Sequence, residues 1–340
     1  MMEEKNVTKV VHSILLASAV VGNILVCLVI LKISSFRTPV YYLMMNLAIA
    51  DLMIVFSFTS RHILEGLYHH PSGTVGAILC KTITSDTFTW VGAVASSITL
   101  VVIAYVERFA AVTAPLENRF SFSIKKSKIA VAFCWTVAMI FNIPLFYVRN
   151  LNRERGFRES HWPSVAFALD YNVTWLALVG VLSSCLMVFF YGKVIVKLRQ
   201  EVIPRRHASM AVIKARKNVT KMLTTVTVLY GICWIPNLIL YVVWYFVLDA
   251  HVMYTINKVF LFLILVNSCI NPIVYAVQNR LFRRRMADIV CKCKKWPLNQ
   301  NHMSTIFQTS GSSLKNSTIQ LVRFTSRRSH ARELEFCNLE

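Results

Sequence analysis

Charge is what this chain has least of. Only 16% of its 340 residues are charged and just 16 are acidic, while 56% are hydrophobic and the mean hydropathy is +0.53. A water-soluble domain of this length would need many more charges to cover its surface. Strand-like alternation and Gly-rich repeats are missing as well. No inverted repeat and no series of buried charges along a pore is visible, which argues against a transporter or channel, the rival reading from another class. A hydrolytic membrane enzyme would need a His/Asp or His/Cys cluster inside the apolar runs. His12, at an outer end, is the one histidine near such a run, so the chain is not read as an enzyme.

What is present is a series of apolar runs near 11–31, 41–60, 88–106, 129–148, 173–196, 222–248 and 254–277. Each has the length, roughly 20 residues, that crosses a bilayer as a helix. The first is too long for a signal-peptide core and is expected to remain as an uncleaved helix that also targets the chain. The predicted organisation is an external segment over 1–10, a seven-span body over 11–278, an amphipathic helix over 279–291 and a disordered tail over 292–340.

The net charge of +21 invites a nucleic-acid reading, but its distribution argues against one. With the N-terminus outside, the inner segments hold 28 of the 37 Lys and Arg and the outer segments nine. That asymmetry orients the chain N-out and C-in, and the basic inner face suits the anionic headgroups of a lipid bilayer. No basic stripe lies beyond the membrane-flanking loops, so no nucleic acid is expected as partner. The sequons at Asn6 and Asn172 then fall outside as candidate glycosylation sites, with Asn172 close to the bilayer, while those at Asn218 and Asn316 fall inside. Cys80 is the one cysteine near the outer surface and has no obvious partner.

Several polar groups interrupt the apolar runs. In Asn271-Pro272-Ile273-Val274-Tyr275, the proline frees a backbone carbonyl and kinks the last span close to the inner surface. Asp51 lies mid-span, where a charge costs about 2.5–3.5 kcal/mol on insertion scales. It reads either as a protonated or hydrogen-bonded structural acid, or as the anchor of a hard monovalent cation. The second reading gathers oxygens from Asn23, Ser97, Asn267, Ser268 and Asn271. Glu107-Arg108-Phe109 ends the third span, and alone it is an ordinary interfacial charged pair. Cys233-Trp234-Ile235-Pro236 joins a bulky ring to a second proline kink, and alone it is core packing. Trp135 and Pro144 mark the fourth span.

In order, spacing and depth these segments resemble the rhodopsin-like (class A) G-protein-coupled receptors over roughly residues 14–293. The resemblance implies an all-α membrane protein, a seven-transmembrane helix bundle with a short amphipathic eighth helix, at the plasma membrane. It implies an allosteric sodium ion held by Asp51, Ser97, Asn267, Ser268 and Asn271 that stabilises the resting state, with no other cofactor or metal. It also implies an activation switch. Glu107 restrains Arg108 at rest; on activation Arg108 swings toward Tyr191 and Tyr275, with Trp234, Pro236 and Pro272 transmitting the motion. The implied partners are an extracellular ligand and a heterotrimeric G protein.

The chain departs from that family at several points. Phe109 replaces the usual tyrosine, and Lys214-Ala215-Arg216-Lys217 stands where some members place an acid that also holds the arginine. Raised basal activity is therefore expected. The outer loop near 149–171 lacks the usual cysteine, so packing must hold it, and a reducing agent should leave ligand binding intact. The fifth-span proline is replaced by Ser183, making the core trio Ser183, Ile98 and Tyr230. Melanocortin and lysolipid or cannabinoid receptors share these absences, which do not resolve a subfamily.

Trp90 occupies the position of the amine receptors' aspartate; Asp86 lies one turn higher, so a biogenic amine is the alternative ligand class. Leu265 replaces the lysine of a retinal receptor. The predicted pocket wall is Arg61, Trp90, Val94, Trp175, Trp234, Asn237, Tyr241 and Asn257, whose aromatic rings are equally able to pack on one another. The basic stretch from Arg149 to Arg158 is either a solvated loop or a steering surface for an anionic ligand, an acidic peptide or a lipid headgroup. A peptide or a modest organic or lipid molecule entering among the helices is the expected ligand.

On the inner side, Lys193 to Lys221 reads as a docking surface or as topological anchoring. Residues 279–290 read as a helix lying on the bilayer, with Phe282 and Ile289 dipping in and Cys291 and Cys293 as palmitoylation candidates. Residues 304–329 hold eleven Ser and Thr, and phosphates there would recruit an arrestin-like partner.

Overall fold

The computed structural model describes residues 2–62, 73–79, 81–82, 86–106, 123–152, 157–200, 210–247 and 250–291. Residues 1–289 form one compact unit and residues 290–340 a second. The first unit is built from long helices: α1 (Met2–Lys32), α2 (Pro39–His62), α3 (Thr87–Tyr105), α4 (Ile124–Phe141, continued by Ile143–Val148) and α5. The last runs through Val165–Trp175, Leu176–Leu182 and Ser183–Gln200. They are followed by α6 (Met210–Val243), α7 (Ala250–Gln278) and α8 (Arg280–Val290). A short helix, Gly73–Leu79, precedes α3.

Six helices among the described residues are long and apolar enough to cross a membrane. The fourth run differs because α4 is interrupted at Asn142, just before Pro144, and carries Lys125, Lys126 and Lys128 in its first turns. Asn142 turns its amide back onto the Ala138 carbonyl at 2.7 Å. The proline has no N–H to offer the ladder, so the helix breaks and restarts.

The outer loop differs from its reading as a segment without strands. Arg149–Asn152 and Phe157–Ser160 pair antiparallel, with Arg149 opposite Ser160 and Asn152 opposite Phe157. The hairpin joins two neighbouring segments, so its pairing closes a short loop at small entropic cost.

Close helix approaches depend on small residues. A methyl group added at Gly22 would meet the Pro272 ring at 2.9 Å, and one at Gly92 would meet Ile54 at 2.7 Å and the Ala50 carbonyl at 3.0 Å. These glycines set the α1–α7 and α2–α3 spacing on either side of Asp51. A polar staple crosses three helices lower down. Trp135 donates to Asn46 Oδ1 at 2.7 Å, and Asn46 donates to Thr99 at 2.8 Å, joining α4, α2 and α3.

In α5 the stretch Leu176–Leu182 is a π-helix, and Ser183 follows it. The Ser183 hydroxyl donates back to the Val179 carbonyl. A π stretch lacks the normal α-helical pairing, and a serine bonding one turn back supplies a local substitute.

Asn279 caps α8, its Oδ1 accepting from the Phe282 N–H at 3.1 Å while its Nδ2 donates to Tyr41 at 3.1 Å. The reading of Phe282 as a residue dipping into lipid is corrected here. It is fully buried against Phe36, Tyr41 and Tyr275, with ring centroids 5.4, 6.4 and 6.0 Å away. Ile289 likewise packs against the core. The apolar face of α8 turns Phe282 fully and Met286 and Ile289 partly onto the bundle, while Leu281 and Val290 stay exposed.

Candidate functional site

At the outer end, a cavity of about 250 Å³ opens between the tops of α3, α4, α5, α6 and α7. Of the residues expected in a pocket wall, Trp90, Trp175, Tyr241 and Asn257 line it. The sequence reading missed Leu145, Arg149, Trp162, Tyr171, Asn172, Trp244 and Tyr245, which complete the wall. Val94 instead faces a second cavity between α3, α4 and α5, and Trp234 and Asn237 lie in the core outside both. The Arg61 side chain lies outside the described residues. Asp86, the amine-type candidate, is not among the lining residues; it sits buried at the start of α3 with φ of 59°.

The outer cavity is an aromatic basket with a few polar handles. Its floor is Trp90, edge-on to Trp175 and to Tyr241, each at 4.9 Å. The Asn257 carbonyl oxygen, an acceptor, is buried without a hydrogen-bond partner among the described residues, and the buried Trp175 indole N–H, a donor, lies beside the Tyr171 hydroxyl. Arg149, the first residue of the hairpin, brings a cation to the wall. Asn172 donates to the Ala168 carbonyl at 2.7 Å and to the Tyr245 hydroxyl at 3.3 Å, so its amide is engaged inside the bundle. Burial pushes the Tyr245 phenol above its ordinary pKa, with the Asn172 bond pulling the other way.

Below the floor the stacking continues inward. Trp90 meets Trp234 at 6.4 Å, and Trp234 stacks on Tyr230 at 6.0 Å. The Tyr230 hydroxyl crosses to the Ala93 carbonyl of α3 at 3.1 Å. Pro236 lies inside α6 one turn from these rings.

One level deeper Asp51 is fully buried. Ser268 donates to its Oδ1 at 3.1 Å and Asn271 to its Oδ2 at 2.8 Å. Asn23 donates to the Ser268 carbonyl at 2.9 Å, tying α1 to the same place. Amide oxygens of Asn23, Asn267 and Asn271 are buried without partners among the described residues. A carboxylate with unpartnered carbonyl oxygens on the surrounding helices is an all-oxygen donor set, which fits a hard cation. Ser97 donates to the Val179 carbonyl of α5 at 3.4 Å, linking α3 to α5.

At the inner end, Tyr191 and Thr227 share a hydrogen bond of 3.2 Å, and Gln278 donates to Thr225 at 3.0 Å. These join α6 to α5 and to α7. Tyr275 is fully buried with its hydroxyl unpartnered among the described residues, and Pro272 lies inside α7 one turn before it. Glu107, Arg108 and Cys293 lie outside the described residues; Cys291 is an exposed free thiol. Asn6 is on the α1 backbone.

An outward aromatic cup, a proline-bearing helix beneath it and a buried acid tied to the last span define a helical membrane receptor. Residues 22–275 match the 7 transmembrane receptor (rhodopsin family), and the chain belongs to that family. It is a multi-pass membrane receptor and not an enzyme, a transporter or a channel. It is 25% identical to the thyrotropin-releasing hormone receptor of Bos taurus, over 88% of this chain and 81% of that one. It is 24% identical to neuromedin-U receptor 2 of Mus musculus, over 84% and 76%. It is 26% identical to somatostatin receptor type 4 of Rattus norvegicus, over 83% and 72%.

Proposed function

We propose that this receptor takes a peptide in the outer cup and passes the signal to a heterotrimeric G protein, from the plasma membrane, with its N-terminus outside and its C-terminus in the cytoplasm. One observation carries the ligand class. The cup holds a buried indole donor, Trp175 N–H, whose neighbour is the Tyr171 hydroxyl of the cup's own wall, and a buried acceptor without a partner among the described residues, Asn257 C=O. A peptide amide offers the complementary acceptor and donor, and leaving such groups unpaired costs about 1–3 kcal/mol each. The aromatic wall supplies the apolar contact area. The relatives named as receptors for thyrotropin-releasing hormone, neuromedin-U and somatostatin support the same class. Arg149 favours a peptide that also carries a carboxylate or a polarised carbonyl.

The signal then runs inward. A peptide pressing on Trp90 moves Trp234 and Tyr230, and α6 turns about Pro236. Breaking the Tyr191–Thr227 and Gln278–Thr225 bonds frees the inner half of α6 to open a cleft for the G protein, where Arg108 docks. A sodium ion at Asp51, which Ser97, Asn267, Ser268 and Asn271 would help to hold, would favour the closed state. Agonist and ion then oppose one another through a reciprocal coupling. Palmitate on Cys291 and Cys293 anchors the segment after α8, and phosphorylated tail residues recruit an arrestin-like protein.

The test is a library of short peptides screened on cells carrying G-protein activation sensors, with Trp175→Phe and Asn257→Ala as pocket controls. Peptide agonists whose potency falls about tenfold or more in both variants are the expected result. Responses confined to amines or lipids, or potency unchanged in both variants, would overturn the ligand class.

A further inference from the structure

The second cavity, about 270 Å³, lies at mid-span between α3, α4 and α5, away from the peptide cup. Val94, Ser97 and Ile98 form its inner wall, Val137 one side, and Leu178 and Leu182 its mouth. Those two leucines are about half exposed, so the mouth opens on the face that meets lipid. None of the lining residues is charged. We propose that this cavity is a lateral binding site for a rigid, uncharged, fused-ring lipid bearing one hydrogen-bond acceptor, which enters from the bilayer.

The lining chemistry sets each part of that description. An ionised group has nothing to pair with here, so the occupant is uncharged. Inside a membrane, hydrocarbon gains nothing by leaving lipid for an apolar wall, so selectivity must come from packing and hydrogen bonding. A flexible acyl tail loses rotamer freedom when it is ordered, whereas a fused ring has none to lose. A cavity of about 150 Å³ holds a six-carbon ring, so this one admits roughly ten carbons, with the rest of the molecule lying in lipid.

The polar contact is Ser97. Its bond to the Val179 carbonyl is long, 3.4 Å, and that carbonyl also accepts from Ser183. The other polar neighbour of Ser97 is the Tyr230 hydroxyl, whose own proton goes to the Ala93 carbonyl. The Ser97 hydroxyl can therefore turn to a ligand acceptor by exchanging one of these contacts for it. Leu178, Val179 and Leu182 all belong to the π stretch of α5, and such stretches recur at functional sites. The site also touches Ile98 and Ser183, two of the three residues between cup and cleft. It depends neither on the peptide nor on the G protein.

The test uses the purified full-length receptor in nanodiscs and a tritiated 4-en-3-one steroid, whose enone is photoreactive. The expected result is saturable labelling of peptides within residues 94–101 or 178–186, displaced by excess unlabelled steroid. Val137→Phe, which fills the cavity, should abolish it, and Ser97→Ala should weaken binding about fivefold, the worth of one hydrogen bond. Leu182→Phe replaces Val137→Phe if that variant does not yield a folded monomer. Labelling that is unsaturable, spread over the lipid-facing side of α1, or unchanged in the filled variant would overturn the proposal.

Discussion

Asp51 is held from one side by Ser268 and Asn271, and the spacing around it is held by two glycines. If a sodium ion shares that carboxylate and favours the closed state, exchanging choline chloride for sodium chloride at equal ionic strength lowers agonist affinity in the wild type. Asp51→Asn should remove that dependence, and radioligand competition in both salts measures it. An equal salt effect in wild type and variant would contradict the cation reading. Gly22→Ala tests the packing separately. The added methyl meets the rigid Pro272 ring at 2.9 Å, so the variant should lose about 1–3 kcal/mol and unfold at lower temperature. A melting temperature equal to wild type would show that α1 and α7 can move apart freely.

At the scale of elements, α6 is pinned at its inner half by Thr227–Tyr191 and Thr225–Gln278. Interhelical hydrogen bonds in membranes average about 0.6 kcal/mol, so losing both shifts the resting equilibrium roughly eightfold toward open. Wild-type basal signalling is expected above that of empty cells, and the pair Thr227→Val with Gln278→Leu should raise it several-fold in a cAMP or calcium assay. Unchanged output in the double variant would remove the pins from the mechanism. In α5, Asn172 sits mid-helix with its amide nitrogen bonded to Ala168 and Tyr245. A glycosylated nitrogen cannot keep both bonds, so mass spectrometry should find no glycan on Asn172; a fully occupied site would mean that the top of α5 is built differently.

For the molecule as a whole, the spans were legible because hydropathy is a local property, and Asn271-Pro272 and Trp234-Ile235-Pro236 announce their kinks within a few residues. The pairing of Asp51 with Ser268 and Asn271 was legible too, since a buried carboxylate must find donors and few were on offer. The cup was only half legible. Arg149, Asn172 and Tyr245 come from three separate elements, and nothing in their own neighbourhoods says that they converge. Val94 lines the lateral cavity instead of the cup, and because α3 is uncharged and buried on nearly every side its sequence does not declare its rotation. Phe282 was placed in lipid because an apolar face looks alike whether bilayer or bundle covers it.

The central claim is that the inner end of α6 is held in at rest and moves out when the cup is filled. Double electron–electron resonance between spin labels at Tyr105 on α3 and Lys221 on α6, in an otherwise cysteine-free receptor, measures this directly. With peptide agonist and nucleotide-free G protein, a longer distance should dominate, and in the unliganded receptor in sodium it should be a minor population. A single distance, unchanged by agonist and G protein, would contradict the account.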